Sequence, residues 1–214
     1  MNKLALIVLA SAVAGAASAT SVTFKLGTKT NGTLPGSGYT SPYLTATFAD
    51  NASLGGVVLT MTNPSPAALF ATSWLFNSAK AITSITYKSG LTATSASYAS
   101  NGKTGSNDIQ AGLFDLDFEF APSGTQFSGG KNSVYLLKGT GLTATDFISK
   151  SVDELKPNNT VKYAGGYYTA AKIQGYGAST GIATTAYTQA VPEPTSMAAL
   201  GLGALGLLKR RKKA

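Results

Sequence analysis

From residue 21 to about residue 177 the chain is made of short runs in which apolar and polar residues alternate, broken by Gly, Asn and Pro. Alternation at period two sends successive side chains to opposite faces of an extended segment, the pattern of a half-buried strand. Residues 113–120 show it most clearly: Phe114, Leu116, Phe118 and Phe120 share one face, and Asp115, Asp117 and Glu119 the other. Residues 22–26, 43–48, 56–62, 84–88, 92–98 and 133–138 read as further strands. Between them, Asn31-Gly32, Pro35-Gly36-Ser37-Gly38 and Asn63-Pro64-Ser65-Pro66 predict turns, because Gly and Asn accept positive φ and Pro cannot continue a ladder. Over 67–71 the pattern fits one or two helical turns, leading into Trp74-Leu75-Phe76, a core candidate. Residues 101–108 predict a polar, Gly-rich loop, and 143–152 a short helix or loop with Asp146 as a possible cap. Gly165-Gly166 predicts a turn before a closing strand, and 178–190 a flexible linker. The expected fold is all-β, a two-sheet antiparallel sandwich or jelly-roll-like domain of about eight to ten strands over 20–177.

The two ends break this rhythm. Lys3 supplies a positive start, residues 4–15 an apolar stretch, and Ala17-Ser18-Ala19 a small-residue cleavage site before Thr20. These are the parts of a signal peptide spanning 1–19, which implies Sec export and cleavage between Ala19 and Thr20 by signal peptidase. At the other end stand Val191, Pro192, Glu193 and Pro194, then an uncharged apolar run over 197–208, then Lys209, Arg210, Arg211, Lys212 and Lys213. The two prolines make the first segment stiff and extended. As a helix the apolar run is about 18 Å long, short for a hydrocarbon core of about 30 Å, and the five cations form a cytoplasmic stop. Thinning of the bilayer and snorkelling of the flanking cations narrow that gap.

This order of Pro-Glu-Pro site, apolar helix and basic end resembles the PEP-CTERM sorting signal of Gram-negative and related bacteria. The resemblance covers 191–214 and implies an exosortase as partner, which would cleave near Pro192 and discard a short C-terminal transmembrane helix. The protein would be membrane-anchored in transit, then reach the cell surface or extracellular matrix. The body resembles, more loosely, uncharacterised exported bacterial proteins that share this tail, with no activity implied.

Charge changes meaning once divided by segment. The formal net charge is +8, but five of the 17 basic residues lie in the tail, and 20–190 holds 11 Lys, no Arg and eight acids. Without Arg there is no planar fork for phosphate or base edges, so no nucleic-acid partner is expected. Cys and His are absent, which excludes disulfides, thiolate or imidazole metal sites and every His-dependent triad.

Three groups remain as candidate chemistry. Asp115, Asp117 and Glu119 form an acidic row; its plain reading is a solvent face balanced by Lys, and its functional readings are a Ca²⁺ site with oxygen ligands or a carboxylate pair for glycoside hydrolysis. No cofactor is otherwise indicated. Trp74, Tyr163, Tyr167, Tyr168 and Tyr176 offer a sugar-stacking platform, although such rings more often fill cores. Thr-x-Thr recurs at Thr28, Thr45, Thr60, Thr92 and Thr143, which suggests ice binding, but the intervals are unequal and predict no solenoid. The leading expectation is an exported structural or adhesion-type domain with no enzymatic activity. The alternative is a carbohydrate-binding module of an exopolysaccharide matrix.

Overall fold

The computed structural model describes residues 19–190, apart from residue 67 and residues 105–107. In chain order the strands are β1 (Ser21–Leu26), β2 (Thr28–Gly32), β3 (Leu44–Asn51), β4 (Gly56–Thr62), β5 (Phe70–Phe76), β6 (Ser84–Gly90), β7 (Ser95–Thr104) and β8 (Leu113–Glu119). They continue with β9 (Phe127–Ser128), β10 (Asn132–Lys138), β11 (Glu154–Leu155), β12 (Val161–Tyr163), β13 (Thr169–Gln174), β14 (Ser179–Thr184) and β15 (Thr188–Ala190). One six-stranded sheet has the order β15-β1-β3-β4-β10-β6. A seven-stranded sheet has the order β2-β14-β13-β5-β8-β7, with β9 on β5, and β11-β12 is a separate hairpin. The neighbours in both large sheets are antiparallel, as the alternation predicts for an all-β domain.

The sheets pack face to face. Val22 and Phe24 of β1, Leu44 and Phe48 of β3 and Leu59 and Met61 of β4 are buried against Trp74 and Phe76 of β5, Leu116 and Phe118 of β8 and Ile173 of β13. Rings bridge the layers: Phe48 meets Phe76 edge-on at 5.3 Å, and Phe118 lies 4.9 Å from Tyr135 of β10. Fully burying each such side chain contributes about 1.5–3 kcal/mol, and the paired rings add about 0.5–1.5 kcal/mol. This is the two-sheet antiparallel sandwich the period-two pattern predicts.

Four local expectations change. Over 178–190 there is no linker: β14 lies inside the seven-stranded sheet between β2 and β13, and β15 closes the edge of the other. Its small residues fit because loop backbone lies directly on it; a Cβ on Gly181 would sit 2.2 Å from the carbonyl oxygen of Asp108. The helical turns suggested before Trp74 give way to a single turn, Leu69 N donating to Pro66 O at 3.0 Å, and then to β5. Asn31-Gly32 ends β2 instead of forming a free turn, and β7 runs on through residues expected to be loop. At 144–147 the short helix is a 3-10 turn with Thr143 as its N-cap and Asp146 completing a capping box. Burial alone would raise the Asp146 carboxyl, but hydrogen bonds from Thr143 and Lys80 outweigh it and hold the group below its usual range.

Candidate functional site

Asp117 and Glu119 of β8 lie on the outer face of the seven-stranded sheet, because Leu116 and Phe118 take the inner one. Register sets Lys172, Ser73, Glu119 and Ser95 in one cross-strand row and Ala170, Leu75, Asp117 and Ser97 in the next. Part of this face is roofed: Ile109, Ala111 and Tyr167 pack over Leu75, Ala170 and Ala183 in a second small apolar cluster. The Asp117–Glu119 pair stands beyond that cover.

Ser73 Oγ donates to Asp117 Oδ1 at 3.3 Å. Asp117 and Glu119 stand two residues apart on β8, close enough for each carboxyl to perturb the other. Burial pushes both carboxyls up; for Glu119 burial and then the negative charge of Asp117 carry it to about 6. Lys103 beside Asp117 and Lys172 beside Glu119 offset part of this. Lys172 also pairs with Asp108 at 2.6 Å. A pocket of about 230 Å³ opens next to the pair, lined by Thr72, Ser73, Glu119, Phe120, Pro122, Lys172 and Gln174. Thr72 is the residue left over where the β5–β13 register slips, and its buried hydroxyl has no hydrogen-bond partner among the described residues.

Asp115 does not join this pair. The ladder between β7 and β8 is irregular between Tyr98 and Lys103, and Asp115 accepts from Asn101 N at 2.6 Å and from Ser78 N at 2.8 Å. Its carboxylate accepts from backbone amides of two separate segments, and the candidate Ca²⁺ row is thereby reduced to two groups. Calcium takes six to eight oxygen ligands, and no cluster of three carboxylates able to hold a metal exists among the described residues. Glycoside hydrolysis needs carboxyls about 5–5.5 Å or about 6.5–9.5 Å apart. Among the described residues Glu119 is the one carboxyl in the lining of the adjacent pocket, so no second carboxyl faces it across that opening.

The expected aromatic platform is dispersed. Trp74 is fully buried, with Nε1 donating to Thr169 Oγ1 at 2.9 Å, so neither ring face is open to a sugar. Tyr163 lies on the separate hairpin with Lys162 Nζ 4.9 Å from its ring centre. Tyr167 roofs the outer cluster, and Tyr176 donates to Thr33 O at 2.9 Å beside Tyr39. Tyr168 instead meets Tyr187 edge-on at 5.3 Å, at a pocket of about 120 Å³ lined by Thr23, Lys25, Thr184, Ala186, Tyr187 and Thr188. Tyr187 escaped the sequence reading because it stood in the supposed linker.

The Thr-x-Thr pairs also look different in space. Thr45 pairs with Thr62, Thr47 with Thr60 and with Thr23, and Thr23 with Thr188. Unequal intervals along the chain thus become neighbouring positions on the outer face of the six-stranded sheet, with the Thr23 and Thr47 hydroxyls 2.9 Å apart. Thr28, Thr92 and Thr143 lie elsewhere, in β2, between β6 and β7, and at the 3-10 turn.

With the geometry in place, comparison with known proteins adds one result. The PEP-CTERM protein-sorting motif matches residues 190–213, so the chain carries the signal of an exosortase-processed protein bound for the surface or the extracellular space. No curated protein and no solved structure matches it. Val191, Pro192, Glu193, Pro194, the apolar run and the basic stop lie outside the described residues, as do Ala17 and the rest of the leader before Ala19. Among the described residues no helix is long and apolar enough to cross a membrane.

Proposed function

We propose that the mature chain, from Thr20 to near Pro192, is a structural or adhesion-type β domain of the cell surface or extracellular matrix, without catalytic activity. The observation that carries this reading is the sorting motif at 190–213, joined directly to a sandwich. Leader removal before Thr20 and transient anchoring by 197–208 belong to the same reading. Its test is the intact mass and location of the protein in its own host, with and without exosortase. Loss of both ends and release to the surface supports it. Retention of 197–214 in the inner membrane of cells that have exosortase overturns it.

A carbohydrate-binding role is the second reading, favoured by the pocket beside Glu119. Carboxyl, hydroxyl, amide and ammonium groups converge there, the donor and acceptor set that sugar hydroxyls engage. Retention of the mature domain on the host's own exopolysaccharide, abolished by Glu119→Ala with Lys172→Ala, would favour it over a purely structural role. The threonine patch supports ice binding more than the sequence intervals do; unaltered ice recrystallisation in the presence of the domain would dismiss that reading.

A further inference from the structure

Ala190 is both the last residue of β15 and the first residue of the sorting motif, so the peptide to be cut leaves directly from a paired strand. β15 is held by Ser21↔Ala190, Val22↔Gln189 and Thr23↔Thr188, and among the described residues it has no strand on its other side. Every residue from 185 to 190 is exposed. The chain turns into this segment at Thr184, whose hydroxyl accepts from Ala186 N and donates to Ala186 O, both at 3.1 Å. Only Tyr187 reaches inward, its ring 6.3 Å from Phe24 and 5.3 Å from Tyr168.

The paired state leaves little room. The seven peptide steps from Ala190 to Met197, where the apolar run starts, reach at most about 25 Å when fully extended. A compact domain of this size has a radius of gyration of about 16 Å. With β15 lifted, the free chain begins at Thr184 and thirteen steps reach about 45 Å. Lifting it opens one sheet edge and withdraws the Tyr187 ring from Phe24 and Tyr168, but residues 185–190 are themselves exposed, so this is a local opening that leaves the other strands paired.

We propose that β15 is a detachable strand: exosortase acts on the chain while β15 is lifted from β1, and the β1–β15 pairing therefore limits the rate of tail processing. The proposal rests on the sorting reading above and adds which surface the enzyme meets. Freed residues 188–190 extend the Pro-Glu-Pro segment into a longer unpaired peptide, the form in which enzymes bind chains along an extended groove.

The chain has no cysteine, so Thr23→Cys with Thr188→Cys creates one possible disulfide once the protein is exported. Facing Cα atoms of an antiparallel pair lie about 4.5–5.5 Å apart, within disulfide range. The measurement is the fraction of newly made protein still carrying 197–214, read by intact mass in the host. The stapled protein is expected to keep its tail about tenfold longer than wild type, while each single-cysteine variant and the reduced double variant match wild type. An insert of about eight Gly and Ser residues between Ala190 and Val191 should restore processing of the stapled protein by restoring reach. Wild-type processing of the fully oxidised double variant overturns the proposal, as does a stapled protein that the insert fails to rescue. Wild type that keeps its tail overturns the sorting reading itself and this proposal with it.

Discussion

The two sheets share one core yet differ on their outer faces. In the six-stranded sheet β3 and β4 bury every second residue and leave Thr45, Thr47, Thr60 and Thr62 half-open. In the seven-stranded sheet β5 buries every residue after Phe70, and β14 every residue after Ser179. Loops cover its outer face with Ile109 and Ala111, and the charges of the Asp117–Glu119 pair stand where that cover ends. A sheet wetted on one side shows a clean alternation, whereas one covered on both sides shows continuous apolar or small runs. This difference explains why β3 and β4 are easy to recognise in the chain and β5 and β14 are not.

The largest expected effect tests the covered sheet. Trp74→Ala removes the biggest buried side chain and should cost about 3–5 kcal/mol in urea unfolding of residues 20–190. A cost under about 1 kcal/mol would mean that the site is not the packed centre described. Next is Gly181→Ala, expected to cost about 1–3 kcal/mol because the added methyl meets the Asp108 carbonyl at 2.2 Å and Thr30 Oγ1 at 2.5 Å. An unchanged midpoint would return this stretch to the status of a linker.

A smaller effect separates the charged face from the neutral one. Glu119 has a folded value of about 6 against an ordinary 4.5, so the folded state holds the proton more tightly. This stabilisation is fully present below pH 4.5 and is lost as pH rises through 6. The shift corresponds to about 2 kcal/mol, reduced by solvent at this partly exposed site to on the order of 1 kcal/mol. Asp117 moves in the same direction, whereas Asp146 is lowered and acts below its ordinary 3.8, outside this window. Glu119→Gln should flatten the stability profile between pH 4.5 and 6, measured by chemical denaturation at each pH. A slope unchanged from wild type would mean that the Glu119 carboxyl is not raised in the folded state. Smallest of all, Thr60→Val on the open sheet should shift stability by no more than about 0.5 kcal/mol. A loss above about 1 kcal/mol would show that the threonine face is more than a solvated surface.

Particular elements show where the sequence was sufficient. β4 spans residues 56–62 as the alternation predicts, and β1, β3, β8 and β10 differ from their predicted bounds by a few residues at most. β14 was missed because Ser179, Thr180, Gly181, Ile182, Ala183 and Thr184 have no alternation and a composition common in loops. Asp115, Asp117 and Glu119 alternate along β8, but their division into an acceptor of backbone amides and a pair of raised carboxyls depends on partners far along the chain. Ser78 and Asn101 take Asp115, and Ser73 meets Asp117. Tyr187 depends on a long-range partner too, since its role comes from Phe24 and Tyr168.

By itself, the sequence determined the all-β class, about half of the strand positions and the sorting tail, because period-two alternation and a contiguous motif are local properties of the chain. Only the tertiary structure decided which sheet is covered on both sides, which carboxyls are raised by burial, which threonines become neighbours, and that β15 is paired to β1 at the start of the sorting motif. Those facts depend on cross-strand register and on contacts between residues up to about 170 positions apart, which no local pattern encodes.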